Sequence, residues 1–125
     1  AAIALGAEGV FAGSVFIPTK ENPAAENVKQ MIVDATAEDL LLFRTAPAYY
    51  RSLPTKLANN LVEMDEQNVD PKEIAKVMGL SGALRFGMLE GNTVDGIIST
   101  GTGITAIKEI KTVKEVIDNL MQDFT

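Results

Sequence analysis

The most complete amphipathic pattern in the chain lies at its end. Val113, Val116, Ile117, Leu120, Met121 and Phe124 recur at helical spacing, which gathers apolar side chains on one face of an α-helix. Thr112 and Glu115 stand three residues apart, the capping box that opens such a helix. So complete a stripe predicts a helix packed into a core. Earlier in the chain, Val28, Met31, Ile32 and Ala35 predict a helix over 23–35, with Asn22 as N-cap and Pro23 at the first helical position. Leu57, Leu61 and Met64 share one face of a surface helix over 55–67. Asp70-Pro71-Lys72-Glu73 reads as a second capping box, carrying Ile74, Val77 and Met78 inward until Gly79 stops the helix. Ser81 is expected to cap one more segment, with Leu84, Met88 and Leu89 on one side, Phe86 and Gly87 open to close helix contact, and Gly91 at its end.

Strand signals are fewer. In Leu5 to Phe16, LGAEGVFAGSVF, Gly6 ends a short helical stretch begun at Ala1, and Glu8 to Ala12 form a brief apolar strand of the kind a parallel sheet covers on both faces. Ala12-Gly13-Ser14 then bring bare backbone to the strand's carboxyl end. Ligands sit at that end in open α/β sheets and (β/α) barrels, and a glycine there lets amides approach a phosphate. This turn is the candidate site. Asp39 to Phe43 is a strand or an extended segment bounded by Pro47. Tyr49, Tyr50 and Arg51 could form an aromatic wall with a cationic end at a substrate mouth; a packed amphipathic turn is favoured, since these side chains bury stems and expose tips. Gly96 to Gly103, GIISTGTG, is a second meeting of small and hydroxyl residues, but it lacks the lysine and spacing of a P-loop and in isolation reads as a turn.

Composition narrows the chemistry. The 125 residues are 46% hydrophobic and 22% charged, within the range of one globular domain. A net charge of −6 with no basic run opposes nucleic-acid and anionic-membrane partners, and no apolar run is long enough to span a bilayer. With no cysteine there is no disulfide or thiol chemistry, which fits a reducing, cytoplasmic setting. With no histidine either, the usual zinc sites and a Ser-His-Asp triad are excluded, so any acid–base work falls to Asp, Glu, Lys or Tyr.

GAEGVFAGSVF resembles the strand-8 segment of the flavin-dependent nitronate monooxygenase (2-nitropropane dioxygenase) and flavin-type enoyl-ACP reductase family, which commonly reads GAEGVQMGTRF. The stretch LRFGMLEGNTVDGIISTGTGITAIKEIKTVKEVIDNL resembles the family's C-terminal region. The two matches bracket nearly the whole chain in the family's order. The resemblance implies an α/β fold, the C-terminal fragment of a TIM (β/α)8 barrel. Residues 1–35 would be its last βα unit, 36–93 a mainly helical cap subdomain, and 94–125 a return segment and the last helix of the outer ring. It implies FMN as cofactor, its phosphate held between a glycine pair after strand 7, outside these residues, and the backbone of Phe11, Ala12, Gly13 and Ser14. Phe11, Ala12, Ser14 and Val15 stand where the family often has Gln, Met, Thr and Arg, and Thr102 stands at the Gln of a frequent AGQ segment over the flavin. The family's catalytic histidine is also expected outside these residues, so the chain by itself is expected to be inactive.

Nitronates and enoyl thioesters both remain open as the small-molecule substrate, and the partner is expected to be the rest of the barrel or another copy of the chain in a homo-oligomer. The competing reading is a self-contained helical interaction or oligomerisation module without catalysis. It accounts for the helices but not for the helix, glycine, strand and glycine in succession between Leu5 and Ser14.

Overall fold

Three side-chain caps fix three of the helices. In a computed structural model that describes residues 1–123, Thr55 Oγ1 accepts the Ala58 N–H at 3.0 Å at the start of α2 (Lys56–Glu66). Asp70 Oδ1 accepts the Lys72 N–H at 2.8 Å before α3 (Pro71–Met78). Thr112 and Glu115 complete the expected capping box of α5 (Val113–Met121), Glu115 Oε2 accepting the Thr112 N–H at 2.7 Å. Asp70 acts alone rather than in a box, because the Glu73 carboxylate accepts from Lys76 Nζ at 2.6 Å instead. Gly79, at φ 63°, stops α3, and α4 (Leu80–Leu84) follows directly, passing into a π-helical turn over Arg85–Leu89 before Gly91 at φ 68°. Ser81 lies inside α4 and caps nothing. Residues 55–90 are therefore chiefly helical.

The first long helix is shorter than expected: α1 spans Glu26–Asp34. Asn22 is not its N-cap, because its Oδ1 accepts the Ala24 N–H at 2.8 Å in a local Asx turn. Ala25 is extended and gives its own N–H to Met88 O. A tertiary bond thus outcompetes the first helical turn. The run from Asp39 to Phe43 is divided between a 3₁₀ turn (Ala37–Asp39) and β1 (Leu41–Arg44), and Tyr49–Ser52 form β2. The pair is antiparallel, with Leu41 opposite Ser52 and Arg44 opposite Tyr49. Tyr49, Tyr50 and Arg51 thus lie in a hairpin arm, with Ala48 just before it, and not in a packed turn. Phe43 and Tyr50, opposite one another, turn inward, leaving Leu42 and Arg51 to solvent.

Two expectations fail for one reason. Glu8 to Ala12 form no strand: Val10 and Phe11 are exposed, Phe11 fully, and the segment joins no ladder among the described residues. A parallel strand covered on both faces needs neighbours on both edges, and the chain provides none. Likewise α5 buries only Val116; Ile117, Leu120 and Met121 are 46%, 44% and 42% exposed, so its stripe is not packed into a core. Phe124 lies outside the described residues. A cleft of about 330 Å³ runs between the N-terminal stretch and this end of α5, touching Ile3, Val10, Leu120 and Met121. The uncovered apolar positions therefore face one another.

The buried side chains form two cores. One joins Val28 and Ile32 of α1 to Leu53, Ile98, Ile104 and Ile107. The other joins Phe43 of β1 to Ala58, Leu61, Ile74, Met78, Ala83 and Ile97. Ile97 and Ile98, both fully buried, send consecutive side chains to different cores. They lie there because Gly87 and Gly96 let the backbone of the π-helical turn approach theirs: a Cβ on Gly87 would sit 2.7 Å from the Ile97 carbonyl carbon and closer still to its oxygen. Lys29, on α1, is buried along its whole side chain and pairs with Glu26 Oε1 at 3.1 Å.

Gly87→Ala should lower stability by about 1–3 kcal/mol or more, the usual cost of overpacking, because backbone and not a flexible side chain must yield; a denaturant midpoint equal to that of the wild type would overturn this account of the seam.

Arg44 Nε donates to Asp65 Oδ1 at 2.7 Å, and the Arg44 N–H reaches Asp65 Oδ2 at 3.1 Å, tying β1 to α2. The Arg44 side-chain hydrogen bond holds the Asp65 carboxyl below its ordinary range. A depressed carboxyl adds stability above its unfolded-chain value of about 3.9 and loses it as pH falls through the lower folded value. The stability gap between wild type and Asp65→Asn should accordingly be open at about pH 6 and narrow below about pH 4 in urea titrations; a gap independent of pH would contradict the pairing.

Candidate functional site

Phe11 to Ser14 do not continue a strand, but they do form a turn with unused donors. Gly13 (φ −119°, ψ −66°) precedes a 3₁₀ turn over Ser14–Phe16, closed by the Phe16 N–H on Gly13 O at 3.0 Å and the Ile17 N–H on Ser14 O at 3.2 Å. Among the described residues, the N–H groups of Phe11, Ala12, Gly13, Ser14 and Val15 donate to no protein acceptor. Val15 and Ile17 anchor the turn by packing on the first core. A Cβ placed on Gly13 meets nothing within 4 Å. Five successive amides without a protein acceptor among the described residues thus lie beside the open space at Gly13.

Ser14 does more than line the turn. Its Oγ accepts the Gly101 N–H at 2.8 Å, joining the candidate turn to the glycine and threonine segment eighty-seven positions later. Its hydroxyl proton goes to no protein acceptor among the described residues and can be donated elsewhere. Gly101 opens a 3₁₀ stretch over Thr102–Ala106, whose Ile104 is fully buried in the first core and whose Thr105 Oγ1 accepts the Ala37 N–H at 2.8 Å. Thr100 is buried, and its Oγ1 has no partner among the described residues. An unpaired buried hydroxyl of this kind costs about 1–3 kcal/mol. Gly101 and Thr100 are absent from a site defined on Phe11 to Ser14 alone. Their signal was the run of small and hydroxyl residues over 96–103, which no local rule connects to Ser14.

The other candidates lie apart. Tyr50 packs on the second core, Tyr49 and Arg51 are exposed, and none bonds to the Phe11–Ser14 turn. A cleft of about 530 Å³ between the start of α2 and Val94-Asp95 shares no residue with that turn. Among the described residues no group of three or more Asp and Glu side chains could hold a metal ion, and no helix is long and apolar enough to cross a membrane.

Comparison with known proteins gives these features a context. The model of the nitronate monooxygenase family matches residues 1–123. The chain belongs to that family. Among solved structures it is similar to FabK from Thermotoga maritima, at 31% identity and a TM-score of 0.83 over 98% of this chain and 39% of that one. It is similar also to the M276A mutant of the same FabK, at 32% identity and a TM-score of 0.76 over 98% of this chain and 36% of that one. No curated protein matches the chain. The chain thus spans less than two-fifths of the length of these solved relatives.

Membership in the nitronate monooxygenase family covers both the Phe11–Ser14 turn and the Gly101 segment, so the two parts that Ser14 joins lie within one family unit. Because open space and an ordinary φ meet at Gly13, Gly13→Ala should leave unfolding stability within about 0.5 kcal/mol of the wild type. A larger loss in a denaturant titration would mean that the glycine serves the fold and not a ligand.

Proposed function

We propose that these residues are the C-terminal part of an FMN-dependent (β/α)8 oxidoreductase, holding one side of the cofactor's phosphate. The observation that carries the reading is the donor set: free amides from Phe11 to Val15 beside the unspent hydroxyl proton of Ser14. A phosphate takes several charge-assisted hydrogen bonds, and local amides can supply them in a chain whose net charge of −6 would repel it at long range. The Phe11, Ala12, Gly13 and Ser14 backbone would hold the phosphate, and the Ser14 hydroxyl would add one bond of about 0.5–1.5 kcal/mol. The open space at Gly13 leaves room for the ligand, so Gly13→Val should weaken flavin retention.

FMN, when bound, supplies the hydride and one-electron chemistry of the reaction. No residue of this chain is given a catalytic role: it contains no histidine, and the acid–base group is assigned to the rest of the barrel. The two solved structures named above are one FabK and its M276A mutant, while the matching family model is that of nitronate monooxygenase, so reduction of an enoyl thioester and oxidation of a nitronate both stand as the activity of the whole enzyme. The exposed apolar side chains of the N-terminal stretch and α5 are assigned to contact with the rest of the barrel, in an enzyme expected to be a homo-oligomer acting on a small molecule in the cytoplasm. Residues 36–93, with the hairpin and α2 to α4, would be its cap. A self-contained helical module is not favoured, since the family match extends unbroken from residue 1 to 123.

The 125 residues offer half of a phosphate grip, and the surviving donors would have to order the ligand without partners. Purified with excess FMN and freed of unbound flavin, the chain should be colourless and without oxidase or reductase turnover. It should turn yellow when the remaining barrel portion is supplied. A stoichiometric yellow complex with turnover from the 125 residues alone would refute the division of the site.

A further inference from the structure

We infer that Ser14 is a positioning residue that couples an occupied phosphate turn to the Gly101–Ala106 segment, through a hydroxyl that donates to the phosphate while accepting from the Gly101 N–H. The inference rests on the phosphate reading of the turn proposed above. Its geometric basis is the 2.8 Å bond from Gly101 N to Ser14 Oγ and the absence, among the described residues, of a protein acceptor for the Ser14 hydroxyl proton. Among those residues it is also the one hydrogen bond that ties positions 99–102 to the rest of the chain; the others they make stay within the segment. Thr100, next to Gly101, is buried with its hydroxyl unpaired and adds no tie of its own. The far end is fixed by Ile104 in the first core and by the Ala37 N–H on Thr105 Oγ1. Upstream, Ile98 is fully buried and held by its N–H on Ser52 Oγ at 3.0 Å and by the Leu53 N–H on its carbonyl, so among the described residues the Ser14 bond is the one hydrogen-bonded tie to the rest of the chain between Ile98 and the anchored Ile104–Thr105 end.

A hydroxyl that donates to an anion is polarised and becomes a better acceptor. Phosphate on the turn therefore strengthens the Gly101 bond and tightens Gly101 and Thr102. By the reciprocity of coupled equilibria, a well-held Gly101 also strengthens phosphate binding, although it does not touch the ligand.

The test is a double-mutant cycle on FMN affinity in the barrel polypeptide that contains these residues, with thermal unfolding to verify that each variant is folded. Ser14→Ala and Gly101→Pro, the latter replacing the N–H donor with a ring carbon that crowds Ser14 Oγ, should each weaken FMN about fivefold to tenfold or more, at least the equivalent of one hydrogen bond. The double variant should be no weaker than Ser14→Ala to within about twofold, because both substitutions break one linked pair. Ser14→Thr should restore affinity. Gly101→Ala retains the N–H, and its Cβ would make an ordinary contact 3.4 Å from Ser14 Oγ, so it separates loss of the donor from disturbance of the segment. Amide exchange at Gly101 should accelerate in Ser14→Ala and slow when FMN binds. Wild-type affinity in Gly101→Pro, or effects that multiply in the double variant, would overturn the coupling while leaving the phosphate site intact. A wild-type barrel polypeptide that takes up no FMN would overturn the proposed function itself, and the coupling with it.

Discussion

Gly87 and Gly96 bring two backbones within a distance that no side chain would allow, and this contact fixes the route of Gly96-Ile97-Ile98. Ile97 reaches the core under the hairpin and α2, and Ile98 the core under α1. Successive residues of an extended segment point to opposite sides, so a two-residue stretch can serve two cores only if its backbone runs between them. The Ile97 N–H on Ala83 O and the Leu53 N–H on Ile98 O hold it there. Bulk at either glycine would push the segment away from the π-helical turn, and with it the isoleucines it sends into the two cores.

The same segment continues into the candidate site. Three residues beyond Ile98, the Gly101 N–H meets Ser14 Oγ, so the placement of the candidate turn and the packing of the first core share one stretch of chain. Val15 and Ile17 pack on that core from the other side. Apolar burial thus holds the chain just after the turn, while the amides of residues 11–15 have no protein acceptor among the described residues. Binding groups held by a packed scaffold keep their geometry without spending their own hydrogen bonds on it.

How much of this was legible beforehand depends on the range of the interaction. The helix starts at Thr55, Asp70 and Thr112 and the stops at Gly6, Gly79 and Gly91 were legible because a cap or a left-handed glycine acts within a few residues. The start of α1 was misplaced because Asn22 fits a cap and an Asx turn equally well, and the Ala25 bond to Met88, from across the molecule, selects the turn. The second hairpin arm was missed because Tyr49 to Ser52 is short, and its alternation shows only when paired with β1.

The sequence by itself determined the starts of α2, α3 and α5 and the glycine stops at positions 6, 79 and 91, that two clusters of small and hydroxyl residues exist near positions 12–14 and 100–103, and that no cysteine or histidine is among these residues. Those properties depend on residue type and local spacing alone. Only the tertiary structure decided that Ser14 and Gly101 meet, that Ile97 and Ile98 divide between two cores, and that Glu8–Ala12 and the stripe of α5 stay uncovered. The physical reason is the same in each case. An apolar strand or stripe states that a surface must be buried, but which surface covers it, and whether this chain provides that surface, depends on contacts between residues far apart in sequence.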